Sequence, residues 1–188
     1  MSSKSSYKVA IVGATGAVGE TLLSILAERQ FPVSELVPLA SAHSAGNRIE
    51  FGGESIVVKD LASYDVDGVD IAFFSADGSV SREHAPRAAA AGAVVIDNTS
   101  EFRYDEDIPL VVSEVNPHAI AGYQNRGIIA NPNCSTMGML VALAPIHRAV
   151  GIERINVATY QSVSGAGRSG LDELARQTAA LLNFQDVE

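Results

Sequence analysis

The single cysteine of this 188-residue chain, Cys134, lies in the segment Asn-Pro-Asn-Cys-Ser-Thr at 131–136. A short apolar strand is predicted to end before this segment, Pro132 forces a turn, and a long apolar helix follows over 136–150. The N-terminus of a helix favours a thiolate over a thiol. We therefore interpret Cys134 as a nucleophile rather than as a buried, inert cysteine.

A glycine-rich turn follows the first predicted strand, 7–12. Its glycines Gly13, Gly16 and Gly19 have the spacing G-x-x-G-x-x-G, and an amphipathic helix comes next. Glycine allows the backbone to turn tightly and to approach a phosphate, while the helix N-terminus offers free N–H groups. The position of this loop predicts a dinucleotide site rather than a purely structural turn.

The choice of cofactor is expected to depend on the stretch that ends the second predicted strand. An NAD site usually places an acid about 20 residues beyond the glycine loop, where it holds the ribose 2′-OH. The stretch 36–47 has no acid and offers Ser41, His43 and Ser44 instead. Hydroxyls and cations suit a 2′-phosphate, so we predict NADP. The alternative is that 41–46 is only a polar connecting loop.

A cysteine nucleophile beside a nicotinamide predicts thiolate attack on an activated carbonyl, a thioester intermediate and hydride transfer. Such a reaction needs a general acid/base. His147 lies thirteen residues beyond Cys134, about 20 Å away at the helical rise per residue. His84 is expected at the surface, His118 in the first turn of a helix, and His43 near the cofactor. We therefore expect the base to be missing from this chain.

Two further polar segments follow predicted strands. The segment 97–103, Asp-Asn-Thr-Ser-Glu-Phe-Arg, is expected at the carboxyl edge of the sheet, where open α/β folds bind ligands. Its Arg103 would clamp a phosphate or carboxylate, unless it pairs with the acids at 105–107. In the segment 160–167, Gln161 ends an alternating stretch and has an amide that could orient an acyl group.

Strand and helix patterns alternate up to residue 130, which predicts a mostly parallel sheet with helices on both faces. Residues 48–58 are expected to form a hairpin, and 109–112 and 127–130 are expected to be short strands. These patterns predict an α/β class with a Rossmann-like NADP-binding domain over 1–131.

The pattern changes near Asn131. The long helix is followed by an alternating stretch over 152–163, typical of an antiparallel strand with one covered face, and by an amphipathic helix over 171–182. We interpret 132–188 as the start of a second, α+β domain. These elements have too little apolar face to form a domain of their own, so we expect the domain to be incomplete. Either the chain is a fragment or the rest of the core comes from another chain.

Composition limits the partners. The chain has 13 Lys and Arg against 22 Asp and Glu, a net charge of −9, which argues against nucleic acid as a partner. No disulfide can form with one cysteine, which fits a reducing, cytoplasmic compartment. The polar tail over 1–6 is followed by no signal-peptide apolar region, and no apolar run approaches the ~20 residues of a membrane span. No metal site is predicted.

Taken together, the segments GATGAVG, DNTSEFR, VVSEVNP, NPNCST and YQSVSGAG resemble the aspartate-semialdehyde dehydrogenase family over about residues 8–182. The resemblance implies NADPH-dependent reductive dephosphorylation of 4-aspartyl phosphate, in the route to lysine, threonine, methionine and isoleucine. It makes Cys134 the thioester-forming nucleophile and Gln161 a contact of the acyl group. It makes Arg103, with Asn133 nearby, the binder of the phosphate.

The resemblance also implies the contacts of the cofactor along three segments. They are Thr15, Gly16, Ala17 and Val18 along the cofactor, His43 and Ser44 at the adenosine phosphate, and Ser164 and Gly165 at the nicotinamide end. Gly13 and Ser41, from the loops considered above, complete the expected cofactor site.

The chain departs from the family at several points. The family usually has arginine where this chain has His43, and Asp77 and Glu101 stand where smaller residues are expected. Family members are nearly twice as long, and their catalytic histidine and carboxylate-binding arginine come after residue 188. We therefore expect this chain to be an N-terminal part that is inactive alone, and the full-length protein to be a dimer or tetramer of identical subunits.

Two alternatives stay open. An N-acetyl-γ-glutamyl-phosphate reductase would reduce a related acyl phosphate, although glycine and tyrosine would be expected around its cysteine in place of Asn133 and Ser135. A module that binds a nucleotide without turnover is the other alternative.

Overall fold

The computed structural model describes residues 4–187, so the first three residues of the polar tail and the last residue of the predicted second domain lie outside it. The strands are β1 (Tyr7–Val12), β2 (Val33–Ala40), β3 (Arg48–Phe51), β4 (Glu54–Val57), β5 (Lys59–Asp60), β6 (Ile71–Phe74), β7 (Val94–Asp97) and β8 (Ile128–Ala130). The helices are α1 (Ala17–Glu28), α2 (Gly78–Ala90), α3 (Cys134–Val150) and α4 (Gly167–Leu182), with 3₁₀ segments at Pro117–Asn125 and Val163–Ala166.

Six strands form one sheet in the order β5-β2-β1-β6-β7-β8, and every neighbouring pair is parallel. The chain leaves β1 towards β2 on one side and later returns to β6 on the other. The direction of winding therefore reverses between β1 and β6, which opens a crevice at the carboxyl ends of these two strands. Gly13, Ser41, Asn98 and Asn131 directly follow β1, β2, β7 and β8, so they lie at this carboxyl edge of the sheet.

Alternate residues of β1 supply the cores on the two faces of the sheet. Val9 and Ile11 pack in a cluster with Leu23 of α1, while Ala10 and Val12 belong to a second cluster that includes Ala85 of α2. Because successive side chains of a strand point to opposite faces, a continuous apolar run is what a strand covered on both sides requires. The α/β, mostly parallel fold with helices on both faces is confirmed.

The hairpin predicted over 48–58 is confirmed, since β3 and β4 pair antiparallel with register from Arg48↔Val57 to Phe51↔Glu54. The strand predicted over 109–112 is wrong, because that stretch makes only an isolated bridge between Leu110 and Ala130. Its backbone reaches the edge strand β8 at one point, which is too little to form a ladder.

The antiparallel strand predicted over 152–163 is also wrong. The segment has no regular structure, and residues 153–162 are exposed. A strand exists only where a neighbour completes its hydrogen-bond ladder, and no other described segment lies beside this one to do so. Its alternating pattern therefore marks a stretch without a partner in residues 4–187.

The two helices predicted over 132–188 are present. Each begins earlier than expected, at Cys134 and at Gly167. Large apolar residues on both are exposed, among them Val150 at 78% and Leu182 at 75%. Among residues 4–187, none of the helices combines the length and the apolar character needed to cross a membrane.

Candidate active site

The glycine loop joins β1 to α1 at the switch point of the sheet. Gly13 has a φ of 86°, and a Cβ there would lie 3.0 Å from backbone atoms of Ser75 and Ala76. At Gly19 a Cβ would lie 2.3 Å from the Gly13 carbonyl oxygen. These two glycines let α1 begin directly against the loop. No side chain caps the helix at Gly16, so the first N–H groups of α1 remain available to an anion.

A cavity of about 480 Å³ lies beside this loop at the carboxyl edge of the sheet. Of the residues expected to bind cofactor, Gly13, Thr15, Gly16, Ser41 and Ser44 line it. The residues that line it without having been predicted include Asp60, Val80 and His84. A cavity that joins the glycine loop to the end of β2 matches the adenosine half of a dinucleotide site.

A second cavity of about 490 Å³ continues along the same edge. Val18, Ser164 and Gly165, which were expected along the cofactor, line it together with Asn98, and Asp77 lines both cavities. Two expected contacts lie elsewhere: Ala17 starts α1, and His43 is exposed and outside the described lining of either cavity.

Cys134 is the first residue of α3 and its thiol is exposed. The Gln161 amide Nε2 lies 3.7 Å from the Cys134 Sγ, to which it donates. The Asn133 Oδ1 accepts from the backbone N–H groups of Ser135 and Thr136, at 3.0 and 3.3 Å. Asn133 is therefore the N-cap that starts the helix at the cysteine. The sequence places Gln161 far from Cys134, and the fold brings them together.

Arg103 lies against the loop that precedes Cys134. Its Nε donates to the Asn131 carbonyl at 3.0 Å and its Nη2 to the Asn98 carbonyl at 3.2 Å. The acids at 105–107 are not its partners: Asp105 and Asp107 both pair with Arg126. The alternative of a surface ion pair for Arg103 is wrong. Two of the five N–H donors of its guanidinium are used, and three remain for a ligand.

A buried carboxylate holds this region together. Asp97, at the end of β7, is 0% exposed, and its oxygens accept from the Ser81 hydroxyl and from the Thr99 hydroxyl, both at 2.8 Å. Its backbone carbonyl accepts from the Asn131 N–H at 2.8 Å. The sequence located Asp97 at the sheet edge, but the partner Ser81 lies on α2 and no sequence signal points to it.

We expect Asp97→Ala to lower the thermal midpoint of unfolding by roughly 5–15 °C, because the loss of buried acceptors costs about 2–4 kcal/mol. Thermal unfolding followed by circular dichroism measures this. The midpoint of Asp97→Asn, which keeps an acceptor oxygen, should lie between those of the unaltered chain and Asp97→Ala. Asp67→Ala, at an exposed aspartate whose side chain has no described hydrogen bond, is the control. A shift for Asp97→Ala no larger than that of the control would contradict the structural role of the carboxylate.

Asp77 and Glu101, where smaller residues are expected in the family, both lie at this edge of the sheet. Glu101 forms a two-pronged ion pair with Arg82, with Nε–Oε1 at 2.5 Å and Nη2–Oε2 at 2.9 Å. These hydrogen bonds hold the pKa of the Glu101 carboxyl below its usual range, so it is charged at neutral pH. A Cβ on Gly78 would come within 3.4 Å of this carboxylate. Asp77 is the N-cap residue of α2.

No hydrogen bond joins any of the four histidines to Cys134 within the described residues. His147 uses its Nδ1 to accept from the Ile152 N–H at 3.0 Å. His84 was expected at the surface, which is wrong: its side chain is 12% exposed, and its Nδ1 is buried without a described hydrogen-bond partner. The rotation of α2 turns it towards the cofactor cavity, on the same side as Val80.

Comparisons with known proteins agree with this geometry. The family described as semialdehyde dehydrogenase, NAD binding domain, matches residues 8–123, and the semialdehyde dehydrogenase dimerisation domain matches residues 143–188. Aspartate-semialdehyde dehydrogenase 2 of Vibrio cholerae is 65% identical over 182 residues, which are 97% of this chain and 54% of that protein. The Bacillus subtilis aspartate-semialdehyde dehydrogenase is 50% identical over 96% of this chain and 51% of its own length.

Solved structures are similar as well. The V. cholerae aspartate semialdehyde dehydrogenase II complexed with ASA superimposes with a TM-score of 0.95 at 62% identity, covering 98% of this chain and 55% of that one. The Candida albicans enzyme with NADP gives a TM-score of 0.65 at 27% identity, over 79% of this chain and 48% of its own. The chain thus spans about half the length of the curated relatives it matches.

Proposed function

The chain belongs to the semialdehyde dehydrogenase family, and from this membership we propose that it acts as an aspartate-semialdehyde dehydrogenase. The proposed reaction converts L-4-aspartyl phosphate to L-aspartate 4-semialdehyde with release of phosphate. The observation that carries the proposal is the pairing of the exposed Cys134 thiol with the Gln161 amide at 3.7 Å. Relatives of this name at up to 65% identity support it.

Cys134 is proposed as the nucleophile. Its thiolate attacks the acyl carbon of the aspartyl phosphate, the bond from that carbon to the phosphate oxygen breaks, and a thioester remains. The position at the first residue of α3 directs the helix N-terminus at the sulfur, which favours the anion. Reduction of the thioester then breaks the carbon–sulfur bond and returns the thiolate.

Gln161 and Arg103 are proposed to position the acyl phosphate. An amide that donates to the thiol before reaction is placed to donate to the carbonyl oxygen of a bound acyl group. Arg103 is anchored by the Asn131 and Asn98 carbonyls, so its remaining donors can bind the phosphate without a further loss of side-chain freedom. Asn133 supports both by capping the helix, and its amide nitrogen is free of the capping bonds.

A nicotinamide cofactor fits the two adjoining cavities and the uncapped N-terminus of α1, and when bound it supplies the hydride for reduction. Thr15, Gly16 and the first turn of α1 would hold its pyrophosphate, and Ser164 and Gly165 its nicotinamide end. We propose NADP over NAD because the stretch 36–47, in which β2 ends, contains no acid and offers Ser41 and Ser44. The NADP complex of the Candida relative supports this choice.

A boundary near Asn131, where β8 ends, divides a cofactor domain over 1–131 from a catalytic and dimerisation domain that starts at 132. The matched dimerisation family supports a homo-oligomer. We propose that the general base comes from outside these residues, that the enzyme is cytoplasmic, and that it serves lysine, threonine, methionine and isoleucine synthesis.

The test is an assay of a fusion in which residues 1–188 are followed by the part of the V. cholerae relative beyond the matched region. We expect phosphate-dependent reduction of NADP with aspartate semialdehyde. N-acetylglutamate semialdehyde, which is longer and lacks the free amine, should give a kcat/KM lower by at least about a hundredfold.

Omission of phosphate is the control, because the reverse reaction needs phosphate to release the acyl group from the thiol. Preference for the N-acetylated substrate would favour the reductase alternative. If neither substrate supported NADP reduction, a module that binds a nucleotide without turnover would be favoured. Each of these two outcomes would contradict the proposed function.

A further inference from the structure

An acid lies at the end of β2 after all, supplied by a different strand. The sequence has no acid in 36–47, but β5 pairs parallel with β2, and its residue Asp60 is the register partner of Ala40. The Leu61 N–H continues the pairing by donating to the Ala40 carbonyl at 2.9 Å. Asp60 is half-buried and lines the adenosine cavity together with Ser41 and Ser44.

The end of β2 is where dinucleotide-binding folds recognise the adenosine ribose. A carboxylate there accepts hydrogen bonds from the ribose hydroxyl of NAD, and it repels the 2′-phosphate of NADP. Cofactor selection depends on which chemical group lies beside the adenosine ribose. A strand next to β2 can supply that group as well as β2 itself.

The nearby cations make no described ion pair with this carboxylate. The Arg87 guanidinium donates to the carbonyls of Leu61 and Tyr64, at 3.4 and 3.0 Å. No Lys or Arg lines the described part of the cavity. The Arg48 guanidinium is bonded within its hairpin to the hydroxyl and the carbonyl of Ser55, at 2.9 and 2.8 Å. The Lys59 ammonium lies 5.0 Å from the centre of the Tyr64 ring, and His43 is exposed outside the cavity lining.

The other ionisable groups of the cavity do not discriminate between the cofactors in the same way. Asp77 lies on the border of both cavities, at the start of α2 and opposite the glycine loop, so it faces the part that NAD and NADP share. His84 lies on the side of α2, with its Nδ1 buried. Asp60 is the charged residue of the described cavity lining that pairs with the end of β2.

We propose that Asp60 is a selectivity residue that lowers the preference of this site for NADP by opposing the 2′-phosphate and accepting from the 2′-hydroxyl of NAD. The proposal rests on the proposed function, because it requires the two cavities to hold a nicotinamide dinucleotide. It implies a site that binds both cofactors more evenly than Ser41 and Ser44 alone would predict.

The experiment compares Asp60→Asn with the unaltered chain by the dissociation constants of NAD and NADP, measured by calorimetry. Asparagine keeps the oxygen that accepts from the Ala62 N–H at 3.2 Å, so the turn is preserved while the charge is lost. We expect NADP to bind more tightly and NAD no more tightly, so that the ratio of the two constants moves towards NADP by about tenfold. Higher salt should shrink the gain for NADP, since it screens the charge.

Asp67→Asn, at an exposed aspartate outside the cavity lining, changes the net charge equally and should leave the ratio unchanged. An unaltered ratio in Asp60→Asn, or the same shift in both variants, would overturn the proposal. If the folded, unaltered chain bound neither cofactor, the proposed cofactor site would itself be contradicted and the role of Asp60 with it. A folded chain that binds both while Asp60→Asn shows no shift would contradict the selectivity role alone.

Discussion

Replacement of Cys134 by serine is expected to lower the kcat of the fusion enzyme for aspartate semialdehyde by at least about a thousandfold, which corresponds to about 4 kcal/mol of barrier. Serine keeps the size and the position at the start of α3. Its hydroxyl is much less ionised than a thiol at neutral pH, so the helix N-terminus and the Gln161 amide have almost no anion to stabilise. The measurement is NADPH formation in the presence of phosphate.

Cofactor binding should be unchanged in Cys134→Ser, because Cys134 lines neither of the two cavities described. Ser135→Ala is the matched control: it alters the next residue of the same exposed helix turn and leaves the backbone N–H that Asn133 caps. A Cys134→Ser enzyme that kept about a tenth of the activity would contradict the covalent mechanism, since loss of a nucleophile costs far more than that.

The Rossmann-like half was predictable because its signals are local. A short apolar run such as Tyr7–Val12, followed by glycines and an amphipathic helix, determines a strand, a turn and a helix from neighbouring residues alone. The parallel order then follows from the alternation of strands and helices. The position of Cys134 at the start of a helix was predictable for the same reason, since Pro132 and the helix after it are adjacent in sequence.

The features that the sequence did not predict depend on contacts between distant residues. Asp60 reaches the end of β2 through the register of an added edge strand, and Ser81 reaches Asp97 through the packing of α2. The depth of His84 depends on the rotation of that helix. The stretch 152–163 has the alternating pattern of a strand with one buried face. That pattern cannot show whether a neighbouring strand is present to pair with it.

The chain of 188 residues by itself is expected to bind a nicotinamide cofactor but to turn over at least about a hundredfold more slowly than the fusion enzyme. Cofactor binding should survive because the glycine loop and both cavities lie within the described residues. Turnover should be slow, because no described histidine is hydrogen-bonded to Cys134, and loss of a general acid/base costs about 10²- to 10⁴-fold. The chain should also self-associate through α3 and α4, since Val150 and Leu182 on these helices are 78% and 75% exposed.

Two measurements on the purified chain decide this prediction: phosphate-dependent NADPH formation, and size-exclusion chromatography over a range of protein concentrations. The fusion enzyme is the positive control, since it contains the same cavities and the same Cys134. Turnover of the chain within about tenfold of the fusion would be too fast for a missing acid/base, and it would assign that role to His43, His84 or His118. A monomer at every concentration would contradict self-association, because apolar side chains exposed on α3 and α4 would then remain in water without a partner.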